Sequence, residues 1–212
     1  MVGYAQSTLK SGFTLATPQF VQIGSTTGMD LQQLKAVGTN TSDNVVVQTL
    51  DEAGRTVDSY IWNDWAAATP CWVDDTFTPV EGVSYAAGQG LWIQGLSAEQ
   101  SIQTAGAVGT ADVVVALRPG FTAAGNPFPV ALDLQDLVAE GADTSDNVVV
   151  QTLDEAGRTV DSYIWNDWAA ATPCWVDDTF TMVDGVTIIP GAGLWIQGLS
   201  ADQFVRFPAP TL

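Results

Sequence analysis

The residues from Thr41 to Thr78, TSDNVVVQTLDEAGRTVDSYIWNDWAAATPCWVDDTFT, recur from Thr144 to Thr181 without a single change, at a shift of 103 residues. A period of that length marks two domain-sized units in tandem, because the repeats of solenoids are far shorter. The same register carries Gly90 to Gln100 (GLWIQGLSAEQ) onto Gly193 to Gln203 (GLWIQGLSADQ). It also carries Met29-Asp30-Leu31-Gln32-Gln33-Leu34 onto Leu132-Asp133-Leu134-Gln135-Asp136-Leu137. Upstream, Gly12-Phe13-Thr14 answers Gly120-Phe121-Thr122. The units meet near Thr104 to Val108 with almost no linker, which divides the chain into 1–106 and 107–212.

Within each unit, short runs of β-branched and aromatic residues alternate with turn signals: Val2 to Leu9, Phe13 to Phe20, Val45 to Leu50, Thr56 to Trp62, Val83 to Ala86, Leu91 to Gln94 and Ser101 to Thr104. Val45, Val47 and Thr49 fall on one face of a strand, with Val46, Gln48 and Leu50 on the other. Asp51-Glu52-Ala53-Gly54 reads as a hairpin turn, and Asp30 as the cap of a short helical segment reaching Lys35. So many short strands in about 100 residues predict an all-β fold of two tandem β-sandwich, jelly-roll-like domains.

The chemistry is bounded by what the chain carries. Six Lys and Arg against 24 Asp and Glu give a net charge of -18, which repels phosphate backbones and anionic membranes, so nucleic acid is excluded as a partner. There is no His, and with it go the commonest general base and metal ligand. No nucleophile motif or Gly-rich phosphate loop is present, so no enzyme is expected. Cys71 and Cys174 occupy equivalent positions, one per unit, so neither can close a disulfide within its own unit. Two separately buried thiols are the expectation, with a bridge between units or between chains as the alternative. No run of about 18 apolar residues occurs, so no membrane-spanning helix and no membrane insertion are expected. Val2-Gly3 matches Val108-Gly109 at the start of the second unit, which suggests a mature chain left after removal of an export signal.

Trp62-Asn63-Asp64-Trp65, followed by Cys71-Trp72-Val73-Asp74-Asp75, is the densest functional stretch; Trp165-Asn166-Asp167-Trp168 and Cys174 to Asp178 repeat it. An exposed Trp beside Asp stacks on the apolar face of a sugar while the carboxylate holds hydroxyls, so Trp65, Asp64, Trp168 and Asp167 are candidate ligand-binding residues. The competing reading packs Trp62, Trp72 and Trp92 into a core. No cofactor is required. Asp74-Asp75 and Asp177-Asp178, with Asp64 and Asp167, offer oxygen ligands to Ca²⁺, but their spacing is not that of an EF-hand. Asp58 and Asp64 are a conceivable carboxylate pair of the glycosidase kind.

The pattern Val2-Gly3-Tyr4, Gly12-Phe13-Thr14, Asp133-Leu134-Gln135-Asp136-Leu137 and Gly88-Gln89-Gly90-Leu91-Trp92 resembles exported tandem-repeat β-domain proteins of Verrucomicrobia, Lentisphaerae and related bacteria. Gly125-Asn126-Pro127-Phe128 is similar to a GNP(F/Y) element of secreted bacterial surface proteins, whereas Thr17-Pro18-Gln19-Phe20 keeps only the proline and the aromatic. The resemblance implies export and an extracellular β-rich module, and carries no established activity.

Two functions are expected from these features. In the first, the chain is an extracellular structural protein that assembles with itself head to tail into a filament or surface layer, since a heterologous contact that does not close makes an open fibre. Terminal strands would assist by strand addition, with Val2, Tyr4, Val205 and Phe207 as assembly residues in donor segments Val2 to Leu9 and Gln203 to Leu212. In the alternative, the chain is a carbohydrate-binding or adhesive module with one site per repeat, and Trp65 and Trp168 lie exposed in a common groove.

Overall fold

The structure, a computed structural model, describes residues 2–9, 11–19, 28–51, 55–154 and 158–210. Among these, the first repeat forms β1 (Val2–Thr8), β2 (Gly12–Ala16), β3 (Gly28–Asp30), β4 (Lys35–Gly38), β5 (Val46–Leu50), β6 (Thr56–Asn63), β7 (Cys71–Val73), β8 (Ser84–Ala86), β9 (Leu91–Gly95) and β10 (Gln100–Ala107). The second forms the same succession: β11 (Val113–Ala116), β12 (Gly120–Gly125), β13 (Leu132–Asp133), β14 (Val138–Gly141), β15 (Val149–Leu153), β16 (Thr159–Asn166), β17 (Cys174–Val176), β18 (Thr187–Ile188), β19 (Gly193–Gly198) and β20 (Gln203–Phe207). Each repeat has a five-stranded sheet (β2-β9-β5-β6-β7; β12-β19-β15-β16-β17), a three-stranded sheet (β1-β10-β4; β11-β20-β14) and a two-stranded one (β3-β8; β13-β18). The strand pairs are antiparallel, and the chain is all-β and sandwich-like, as the alternation of short apolar runs predicts.

Side-chain alternation fixes which face of each five-stranded sheet is buried. Val45 and Val47 are fully buried, while Val46, Gln48 and Leu50 lie on the outer face and keep partial exposure. Trp62 and Trp72 face each other across β6 and β7 on the inner side, edge to face with ring centroids 5.2 Å apart. Burying an indole leaves its N–H in need of an acceptor, and the Leu34 carbonyl supplies it at 2.7 Å. The helical segment expected at Asp30 is a 3-10 turn, Leu31–Gln33, whose Asp30 carboxylate accepts from the Gln32 amide at 2.8 Å. Gln32 then reaches across to β7: its side-chain amide donates to the Trp72 and Val80 carbonyls (3.1 and 2.9 Å), and its side-chain oxygen accepts from the Trp72 N–H (3.1 Å). Gln135 does the same for Trp175 and Val183.

Two expected details need correction. Trp92 belongs to neither core, because its position on β9 shares the outer face with Gln48 and Gln94. Val2-Gly3 and Val108-Gly109 are not equivalent: Val2 pairs with Ala107 in the sheet, whereas Val108 is buried in the first core. Asp51 and Arg55 close the β5–β6 hairpin through an ion pair of 2.8 Å, and the expected turn residues Glu52 to Gly54 lie outside the described residues, as do Phe20, Thr211, Leu212 and the Val2 side chain.

The repeats have separate hydrophobic clusters, and they meet through a reciprocal contact. Ala16 bridges to Ala192, and the equivalent pair, Ala124 with Gln89, bridges in return. The Thr17 N–H donates to the Gly191 carbonyl (3.0 Å), and its equivalent, the Gly125 N–H, donates to the Gly88 carbonyl (3.1 Å). The same surface of each repeat therefore touches its counterpart in the other, an isologous arrangement rather than a head-to-tail one. Trp92 and Trp195 meet at 6.1 Å across this pseudo-dyad, flanked by Phe13 (5.4 Å from Trp92) and Phe121 (6.2 Å from Trp195).

The close backbone approach requires glycine at two equivalent positions. A Cβ on Gly90 would lie 2.8 Å from the Ala123 carbonyl carbon, and one on Gly193 2.4 Å from Leu15 Cγ. Gly90→Ala is expected to destabilise by about 1–3 kcal/mol, read as a fall of about 2–4 °C in Tm per kcal/mol by calorimetry; an unchanged Tm would show that the repeats do not touch in solution. A second test concerns Tyr85, whose buried hydroxyl has no hydrogen-bond partner and whose ionisation burial pushes far up. The second repeat places Ile188 there. Tyr85→Phe should stabilise the protein, or leave it unchanged, by up to about 1 kcal/mol in chemical denaturation.

Candidate functional site

β6 ends at Asn63, whose side chain has the outer-face parity of Ile61. Its side-chain oxygen accepts from the Trp65 and Ala66 amides (3.0 and 2.6 Å), so the loop after β6 turns over the outer face. The Asn63 amide group in turn donates to one oxygen of Asp43 at 2.6 Å. The other Asp43 oxygen accepts from the Trp65 indole N–H at 3.1 Å. Trp65 is thereby pinned at its polar edge, yet 59% of it is exposed. Its ring packs on Phe77, with centroids 5.1 Å apart.

Phe77 has φ of 59°, a left-handed conformation that bulky residues rarely adopt. The Asp74 carboxylate holds that turn: one oxygen accepts from the Thr76 hydroxyl (2.7 Å) and from the Thr76 and Thr78 amides (2.9 Å each). The second repeat reproduces each part. Trp168 is 59% exposed, its indole N–H is 3.1 Å from Asp146, and it packs at 5.1 Å on Phe180, which has φ of 58°. Each repeat thus presents an exposed indole whose position is fixed from two sides.

Asp64 is exposed and lines a groove of about 910 Å³ with Lys35, Thr41, Trp62, Cys71 and Glu81. Asp167, its counterpart, is exposed beside Trp168. Asp64 and Asp167 are the chain neighbours of Trp65 and Trp168, but the groove that Asp64 lines does not include Trp65, and the two tryptophans stand on loops of different repeats. Each loop joins β6 to β7 or β16 to β17, at the sheet edge opposite the junction strands β2 and β12.

Other candidates separate. Asp58 sits within β6 and Asp64 beyond its end, so the strand holds them roughly 17 Å or more apart, too far for the glycosidase pairing. One oxygen of Asp74, and likewise of Asp177, is engaged in its own turn, and among the described residues no three Asp, Glu or Cys gather around a common point. Val205 and Phe207 are not available for strand addition: β20 is the central strand of its sheet, paired with β11 and β14, and both side chains are fully buried. Tyr4 is 60% exposed on β1, an edge strand whose other side is paired with β10. Cys71 and Cys174 are free thiols, the first half-buried and the second buried.

Sequence reasoning misses Asp43 and Phe77, the two groups that fix Trp65. The repeat TSDN and DDTFT segments carry both, but nothing in their spacing shows that they converge on one ring. Comparison of the chain with family models, curated proteins and solved structures finds no match.

The turn beneath Phe77 gives a pH signature. The Thr76 hydroxyl, followed by the Thr78 amide, holds the Asp74 carboxyl below its ordinary value, and Thr179 and Thr181 do so for Asp177. A depressed folded-state pKa stabilises the turn above the unfolded value and loses that contribution as pH falls through the folded one. Carboxyl NMR titration from pH 7 downward should show Asp74 and Asp177 protonating below about 3.9; midpoints at or above that value would contradict the turn geometry.

Proposed function

We propose that the chain is an extracellular carbohydrate-binding protein with one aromatic site per repeat, centred on Trp65 with Asp64 and on Trp168 with Asp167. The observation that carries this reading is the immobilised exposure of Trp65 and Trp168. An apolar ring left in water costs free energy, and here an Asp, an Asn and a strained Phe hold it in place twice over. A pre-positioned ring with carboxylates nearby suits a pyranose, whose apolar face stacks while its hydroxyls donate. Two such sites on one chain raise avidity for a polymer that reaches both. Export is supported by the resemblance to secreted bacterial repeat proteins and by an acidic surface that stays soluble. The self-assembling filament finds less support, because a reciprocal junction leaves no unmatched copy of itself for further subunits to extend.

A glycan array followed by fluorescence titration of the strongest binder tests this. Binding should quench or blue-shift tryptophan emission, and Trp65→Ala or Trp168→Ala should weaken affinity at its site by at least about tenfold, or about 1.4 kcal/mol. Asp43→Ala, which frees the indole, should weaken it less. An array without binders, or a double Trp65→Ala, Trp168→Ala variant that binds as the wild type does, would remove the proposal.

A further inference from the structure

We infer that the junction is selective: it accepts a first repeat against a second and rejects two first repeats, with Thr17 against Gly125 setting the choice. The backbone contacts across the pseudo-dyad are reciprocal, so by themselves they would let any two repeats pair. Units that share an unchanged segment from Thr41 to Thr78 run the risk of pairing like with like whenever chains meet.

The side chains at the junction differ where the backbones agree. Thr17 and Gly125 are equivalent, because each donates its N–H to the turn that precedes β19 or β9 in the other repeat. Thr17 is buried, and a Cβ on Gly125 would run into its hydroxyl oxygen. Two first repeats joined in the same way would set Thr17 against a second Thr17, where the space admits only glycine. The Thr17 hydroxyl makes no hydrogen bond among the described residues, so the side chain acts here through its volume. Two further contacts have no counterpart across the pseudo-dyad. Gly88 closes on Val113 and Val115, where a Cβ would lie 2.9 and 2.8 Å from their methyl groups. The shift that carries Gly12 onto Gly120 carries Ala5 and Ser7 onto these valines, and both offer the turn less apolar surface. Gly191 closes on the Gln19 side chain, whose equivalent in the second repeat is Pro127.

Each repeat therefore brings what the other lacks. Two first repeats clash at Thr17 and lose the valine contacts, whereas two second repeats leave the space of Thr17 empty. A clash against the wrong partner discriminates as much as a fit to the right one. The partner that this surface fits is the unlike repeat of the same protein, so two copies of the chain that meet through it do so by exchanging repeats.

Cutting the folded chain tests the choice. A protease site inserted between Thr110 and Ala111, which are exposed and lie outside the strands, frees the repeats without touching Val108 or Asp112. Unlabelled and isotope-labelled cut protein are then mixed, and native mass spectrometry counts the pairs. First-second pairs of mixed label should form, first-first pairs should be at least about tenfold rarer, and Thr17→Gly should raise first-first pairs by at least about tenfold. Thermal unfolding of the uncut chain reads the same contact without separating the repeats. Gly125→Thr should lower Tm by more beside Thr17 than beside Thr17→Gly, since only the first case sets two threonines face to face. The inference is overturned if first-first pairs are as common as unlike pairs, if halves that stay folded do not pair, if Thr17→Gly leaves the counts unchanged, or if the two substitutions are additive in Tm.

Discussion

Each repeat depends on a glutamine that substitutes for a strand. β7 and β17 are three residues long, and the segment beyond each makes only an isolated bridge, in which the Val80 and Val183 amides donate to the Trp72 and Trp175 carbonyls. Gln32 and Gln135 supply two donors and one acceptor from a 3-10 turn and fasten that backbone to β3 and β4, or β13 and β14, on either side of the turn. The fully buried Trp72 and Trp175 stand on the fastened strand, with their N–H groups on the carbonyls of Leu34 and Leu137, the residues just after the same turn. An unmet amide in that setting costs on the order of 1–3 kcal/mol. The largest core side chain and the edge of the main sheet are thus secured by one local motif.

Much of this was legible in the sequence where the signal is local. The identical segments give near-identical geometry down to tenths of an ångström around Trp65 and Trp168, because the same side chains close the same turns. The alternation of Val45 to Leu50 reports the buried face correctly, and Asp30 caps as its type and position suggest. What the sequence does not show depends on contacts made over long separations. Trp92 looks like core because strand periodicity cannot say which face meets the second sheet. The end of the chain looks free because nothing in Gln203 to Phe207 announces a central strand. The role of Gln32 is hidden for the same reason: the carbonyls it holds are 40 and 48 positions away.

The acidic composition and the placement of aromatic rings fit together. Four tryptophans, Trp62, Trp72, Trp165 and Trp175, fill the two cores. The other four lie on or beside the outer faces, one pair sealing the junction and one pair standing in solvent. The outer rows Val46-Gln48 and Trp92-Gln94 carry no charge, so the sheet face leading to the junction is neutral although the chain as a whole is acidic.

The reciprocal junction also bears on how the chain holds itself together. Among the described residues its contacts include backbone hydrogen bonds, close glycine approaches from both repeats and one ring pair. Joining the partners by the short span from Val108 to Val113 places each at a local concentration in the millimolar range. Covalent linkage holds that contact against dilution, so the geometry on either side of the pseudo-dyad does not depend on how much protein is present.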